Sequence, residues 1–177
     1  MKTNRFFVCC LMAGALASAA SRSRSECFSI ALPAPYDRVL EAIREVSSDA
    51  VIHGAAQYES ETGIQGASAA DSSPAFPQWT GSGVALFKIR SKTIAPTNFK
   101  GSRDVGTVTL RYVVEPIGPN ETRLTIDAVF VEDSRHGRHP SQGMVEMAEF
   151  AEVAQKLKHS DRTAARQQAQ VSASRED

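Results

Sequence analysis

The clearest pattern in the chain is the alternation of apolar and polar positions across "VGTVTLRYVVEP" and "TRLTIDAVFVED", two runs joined by "IGPNE". Period-two alternation on both sides of such a turn predicts an antiparallel hairpin. With the turn centred near Pro119, Glu115 faces Arg123 and Arg111 faces Asp127, on one face with Val113 and Thr125. Leu110, Tyr112 and Val114 then oppose Ala128, Ile126 and Leu124 on the other face, with Phe130 beyond. A slip of one residue would turn that apolar set outward. Burying one such side chain is worth roughly 1.5–3 kcal/mol, against ~0.2–1 kcal/mol for an exposed charge pair. Burial therefore sets the facing, and charge trims the register.

The same reading extends along the chain. "CFSIAL" (27–32) predicts a strand. "PAPYDRVLEAIREVSS" predicts a short helix with Val39, Leu40 and Ile43 on its apolar side, ended by Ser47-Ser48-Asp49. "AVIHGAAQYE" (50–59) predicts a second strand weakened by Gly54, and "GVALFKIRSKTIAP" (83–96) another strand. Between them, residues 62–83 are rich in Gly, Ser, Ala and Pro and predict a long loop with a short strand near 64–67. The only tryptophan, Trp79, lies in this loop, either as a plug at the edge of the core or over the mouth of a pocket. A final helix is expected from Ser141 to about Lys158, with an inward stripe of Met144, Met147, Ala148, Ala151 and Ala154, widened by Phe150, Val153 and Leu157. Residues 159–177 are polar and are expected to form a disordered tail.

The expected class is α+β: a curved antiparallel sheet wrapped around a long C-terminal helix, with a short helix after the first strand. The segment "IALPAPYDRVLEAI", the hairpin "VTLRYVVEPIGPNETRLTIDAVF" and the closing helix after "RHPSQG" resemble the START-like (SRPBCC) superfamily. That superfamily includes polyketide cyclases and dehydratases, lipid-transport domains and pollen-allergen-type proteins. The resemblance covers most of residues 27–158. It implies a helix-grip fold over a hydrophobic cavity. Two features depart from the pattern: Leu40 stands where the family often has a bulky aromatic, and "SSDAVIHG" leaves little room for a second short helix.

Composition narrows the setting. "MKTNRFFVCCLMAGALASAA" has basic Lys2 and Arg5, an apolar run of roughly 16 residues and a small-residue end, the layout of a signal peptide cleaved near Ala19 or Ala20. The expected location is secreted or periplasmic, with no stable membrane span after cleavage. About 157 of the 177 residues then remain, enough for one domain over 27–158. Cys27 alone survives cleavage and reads as a small buried residue, so no internal disulfide is expected. A formal net charge of +0 without a basic patch argues against nucleic acid.

Candidate chemistry is sparse. His136 and His139, with Glu132 and Asp133, offer metal-ligand types. Gly137 and Pro140 prevent one rigid helix from presenting them, however, and Arg135 and Arg138 would oppose a cation. "SRHGRHPSQG" therefore reads as a hinge in which Ser141 caps the last helix without a capping-box partner at Met144. "NET" (120–122) matches a glycosylation acceptor that matters only in a eukaryotic secretory pathway. No nucleophile elbow, metal site or cofactor motif is expected. The leading expectation is an exported, non-enzymatic protein that binds a hydrophobic small molecule or lipid between sheet and helix. Phe87, Leu110, Tyr112, Ile126, Phe130, Met147, Phe150 and Ala151 would line the site. The rivals are a cyclase or dehydratase using His53, Tyr112 or Arg111, and an envelope scaffold with a filled core contacting a partner through residues 62–82.

Overall fold

The computed structural model describes residues 28–58, 61–99 and 101–173; residues 1–20, expected to be a signal peptide, and Cys27 lie outside them. The chain runs β1 (Phe28–Leu32), α1 (Tyr36–Ser47), β2 (Val51–His53), β3 (Gly63–Gln65), β4 (Ser68–Ala70), β5 (Val84–Ile94), β6 (Val105–Gly118), β7 (Glu121–Glu132), β8 (Arg138–Pro140) and α2 (Met144–Ala173). Six strands make one antiparallel sheet in the order β1-β7-β6-β5-β4, with β8 also on β7, and β2 and β3 form a separate hairpin. The fold is thus the expected α+β arrangement, a curved antiparallel sheet with a short helix after its first strand and a long C-terminal helix.

The β6–β7 register follows the alternation: Leu110 opposes Ala128, Arg111 opposes Asp127, Tyr112 opposes Ile126 and Glu115 opposes Arg123. The inner face of the sheet carries Val108, Leu110, Tyr112, Val114, Leu124, Ile126 and Phe130, which join Val39, Ile43 and Val46 of α1 and Val145 and Val153 of α2 in one core. The outer face carries Phe87, Thr109, Val113 and Val129, and these are buried too. Part of the loop between β4 and β5 lies across them as a strap: the Phe76 ring meets Phe87 at 6.3 Å, and the Arg111 guanidinium sits 4.6 Å above Phe76 and 5.8 Å from Trp79.

Three elements differ from the pattern. The second strand stops at His53 because α2 crosses Gly54, where a Cβ would come within 2.6 Å of the Ala148 Cβ and 2.7 Å of the Met144 carbonyl oxygen. The loop 62–83 holds two short strands, β3 and β4, where one was expected, and Trp79 is half-buried on the outer face beside a groove bounded by Phe76 and the start of β5. The last helix begins at Met144, not Ser141, and continues past Lys158 to Ala173. Ion pairs of Lys156 with Glu45 (3.0 Å) and of Arg38 with Asp161 (2.6 Å) hold it along α1, and residues 162–172 beyond them are exposed.

Candidate functional site

The space between sheet and helix is occupied by a polar cluster. Lys88 sits at an inward position of β5, opposite Leu110, and both it and Glu149 of α2 are 0% exposed. The Lys88 ammonium donates to Glu149 Oε2 (3.0 Å) and Oε1 (3.2 Å), to Asp49 Oδ1 (3.0 Å) and to the Val51 carbonyl (2.6 Å). Glu149 also accepts the Tyr112 hydroxyl (2.8 Å) and the His53 backbone N–H (2.9 Å). Asp49 accepts the Val51 N–H (2.9 Å) and lies 2.9 Å from His53 Nε2 at the solvent edge. Four elements and the α1–β2 turn meet here, so the cluster fixes α2 against β2, β5, β6 and that turn.

Burial raises the Glu149 pKa above its usual value, with Lys88 and Tyr112 pulling against it. Burial and then the Glu149 charge push the Tyr112 phenol well above its usual range. At Asp49 desolvation acts upward, but His53, the Val51 amide and Lys88 outweigh it and hold the group low. Every charge in the cluster is spent on another member. The Lys88 ammonium has no free lone pair and Glu149 is saturated with donors, so these two buried groups serve to dock α2.

The sequence-predicted pocket residues separate into three groups. Leu110, Tyr112, Ile126 and Phe130 lie together on the inner face, fully buried in packed core. Phe150 is half-buried against Phe28, ring centroids 5.2 Å apart. Phe87 is on the opposite face of the sheet, because its register partner is Arg111, and Met147 (53% exposed) and Ala151 face solvent. Met144, Met147 and Ala151 of the expected stripe are thus turned outward while Ala148 packs on Gly54, and α2 directs Val145, Glu146, Glu149 and Val153 inward. A stripe argument keeps carboxylates wet, whereas here both inward ones have partners. Glu146 accepts the Ala128 N–H (3.1 Å) and the Ser141 hydroxyl (2.6 Å).

Ala128 is where this bond is needed, since β1 pairs β7 only over 122–126 and β8 only over 129–131. Ser141 completes the joint: its N–H reaches the Ala128 carbonyl (3.0 Å) and its Oγ accepts the Gly143 N–H (3.1 Å). The partner of Ser141 that was not expected is therefore Glu146, two residues past Met144.

Of the rival catalytic residues, Tyr112 and His53 meet at the Glu149 cluster, whereas Arg111 does not. Tyr112 points inward, Arg111 pairs with Asp127 on the outer face (2.6 Å), and the His53 ring is held by Asp49. The histidines of the hinge diverge. His139 Nε2 meets Glu132 (3.1 Å), which also accepts the Ser102 hydroxyl (2.7 Å), while His136 occupies a left-handed turn (φ 56°). Among the described residues no group of three or more His, Cys, Asp or Glu could hold a metal ion, and no helix is long and apolar enough to cross a membrane.

Open space lies in several surface grooves: one of about 930 Å³ runs along α2 beside Glu45, with Phe150, Ala151 and Ala154 in its lining, and others lie on the outer face. A groove of about 770 Å³ has Ile89, Thr107, Thr109 and Val131 as its floor, with the strap at Ser73-Pro74-Ala75 on one side and the β7–β8 turn on the other. Arg138 spans it, one guanidinium nitrogen donating to the Ala75 carbonyl. A second groove of about 500 Å³ lies on the far side of the strap, between Phe76, Trp79 and the start of β5, and Ser73 borders both. Nothing in the sequence pattern signalled this site, since its walls come from loops far apart in the chain. No family model fits the chain, and no curated protein or solved structure matches it.

Proposed function

We propose that this is an exported, non-enzymatic binding protein for a hydrophobic small molecule or lipid, and that it belongs to the START-like superfamily. The binding site in this reading is the outer groove, not the helix-side interior. The carrying observation is the groove of about 770 Å³ with an apolar floor, a volume within the ~300–1,000 Å³ usual for small-molecule sites. On the helix side, buried core side chains and the Lys88–Glu149 cluster meet where the expected cavity would lie. The sheet order with its closing helix supports the superfamily reading, and the apolar leader supports export.

The test uses the neutral fluorescent probe N-phenyl-1-naphthylamine with the purified chain and with Thr107→Phe, which places a ring in the groove. Saturable binding that Thr107→Phe weakens about ten-fold is expected. Absence of probe binding, or equal binding by both proteins, would remove the groove from consideration. A second reading, an envelope scaffold, draws on the packed core and the exposed end of α2. A partner that protects residues 162–173 from proteolysis would favour it.

A further inference from the structure

Arg138 is unusual among the cations that line the outer groove and its strap. Arg111 has Asp127 as a close partner, but no carboxylate of the described residues lies within ion-pair distance of Arg138. Its guanidinium carries five N–H donors, and its one bond is to a neutral carbonyl, that of Ala75 in the strap. Of the acids beside it, Glu132 already has the Ser102 hydroxyl and His139 as partners, and the Ser102 bond leads in holding its carboxyl below the usual range. Asp133 is exposed on the rim and is the lining group that opposes an anion.

We infer that the groove takes an amphiphile with an anionic head, that Arg138 binds the head, and that the same event unlatches the strap. This rests on the groove reading above and names its ligand class. A carboxylate or phosphate accepts two parallel N–H bonds from a guanidinium and forms stronger bonds with it than a neutral amide carbonyl does. An arriving head therefore competes with Ala75 for Arg138. Once Ala75 is released, the strap is held by the contacts of Phe76 and Trp79 with Arg111 and Phe87, the Trp79 Nε1 bond to the Ser82 carbonyl (3.0 Å), and the Ser82 bond to Glu115 (2.8 Å). Ser73 borders the grooves on both sides, so lifting the segment 73–75 joins them into one trough across the sheet. An apolar chain longer than either groove could then lie along it while its head stays at Arg138.

Trp79 is the only tryptophan and sits on the strap, so its emission reports the movement without a label. The full chain is titrated with dodecanoate, dodecyl phosphate and dodecanol below their micellar concentrations, following Trp79 emission and the heat of binding. The two anions should bind at least about ten-fold more tightly than the alcohol and shift Trp79 emission, the better of the two giving the head group. Arg138→Gln should abolish that preference, Arg138→Lys should restore part of it, and Asp133→Asn should tighten anion binding. Arg138 is exposed, and an unchanged melting temperature in each variant shows that folding is intact. Equal affinity for anions and alcohol, the same in Arg138→Gln, overturns the inference and leaves the groove reading standing. Binding with no Trp79 response overturns the latch, and failure of all three to bind removes both readings.

Discussion

Lys88→Met isolates the cluster beneath α2. Methionine keeps most of the volume and removes the charge, leaving Glu149 buried with the Tyr112 hydroxyl and the His53 N–H as its donors. Both ends of the Lys88–Glu149 pair are 0% exposed at 3.0 Å. Removing one partner of such a pair costs about 3–5 kcal/mol, because the remaining charge has lost its counter-charge away from water. Protonation of Glu149 limits that loss, since burial already favours its neutral form. For a domain of this size about 1 kcal/mol corresponds to roughly 2–4 °C, so the melting temperature should fall by about 10 °C. Glu149→Leu alone should cost less, because Lys88 keeps Asp49 Oδ1 (3.0 Å) and the Val51 carbonyl (2.6 Å) as partners. The double variant should lose less than the sum, since replacing both charges with apolar groups costs far less than stranding one. Urea titrations of the four proteins give the coupling, expected at about 2 kcal/mol or more. A loss under 1 kcal/mol for Lys88→Met, or strictly additive effects, would refute the assignment of α2 docking to this pair.

Four further outcomes follow from the same geometry. Burial raises the Glu146 pKa, so its contribution is fully present below the usual carboxyl value of 4.5 and is lost as pH rises through the raised folded value. Relative to Glu146→Gln, the wild-type chain should therefore gain stability between pH 7 and about pH 5 in urea titrations, and parallel curves would contradict this. Asp49 behaves oppositely: its pKa is held below 3.8, so the advantage of wild type over Asp49→Asn is present at neutral pH and disappears as pH falls through the folded value. Gly83→Ala should destabilise by at least about 2 kcal/mol in thermal melts, because the residue has φ +79° and a Cβ would lie 1.9 Å from the Val114 carbonyl oxygen. Truncation after Asp161 should lower helical circular dichroism while leaving the melting temperature within about 1 °C, since the residues beyond it are exposed and Arg38 keeps its partner.

The sheet was legible because strand pairing obeys a short rule. In β6 and β7 the side chains alternate strictly, and Arg111–Asp127 and Glu115–Arg123 coincide in register with Tyr112–Ile126. The facing of α2 was not legible for a physical reason. Helix stripes are inferred on the premise that charged residues stay in water, and Glu146 and Glu149 break it with partners on β7, β5 and β6 that are remote in sequence. A cue was present: Lys88 falls on the inward parity of β5, which calls for a buried counter-charge. The length of α2 was also misread, because "HSDRTAARQQAQVSA" is polar but has no Gly or Pro and is rich in Ala, Arg and Gln, which continue a helix well.

The two faces of the sheet differ in what their contacts permit. On the inner face a rearrangement of α2 would separate the buried Glu149 from Lys88 and Tyr112, which opposes movement of the helix away from the sheet. On the outer face the strap is held by one side-chain bond from Arg138 to its backbone, by aromatic contacts with Arg111 and Phe87, and by the short Trp79–Ser82–Glu115 chain. Each of these can be exchanged without burying a charge. Pro74, Pro77, Gly81 and Gly83 restrict bending to few points of that segment. A ligand with a few kcal/mol of binding energy can therefore move the strap but not α2. For that reason a search for ligand-dependent change belongs at Trp79 and Arg138, not at the helix that closes the core.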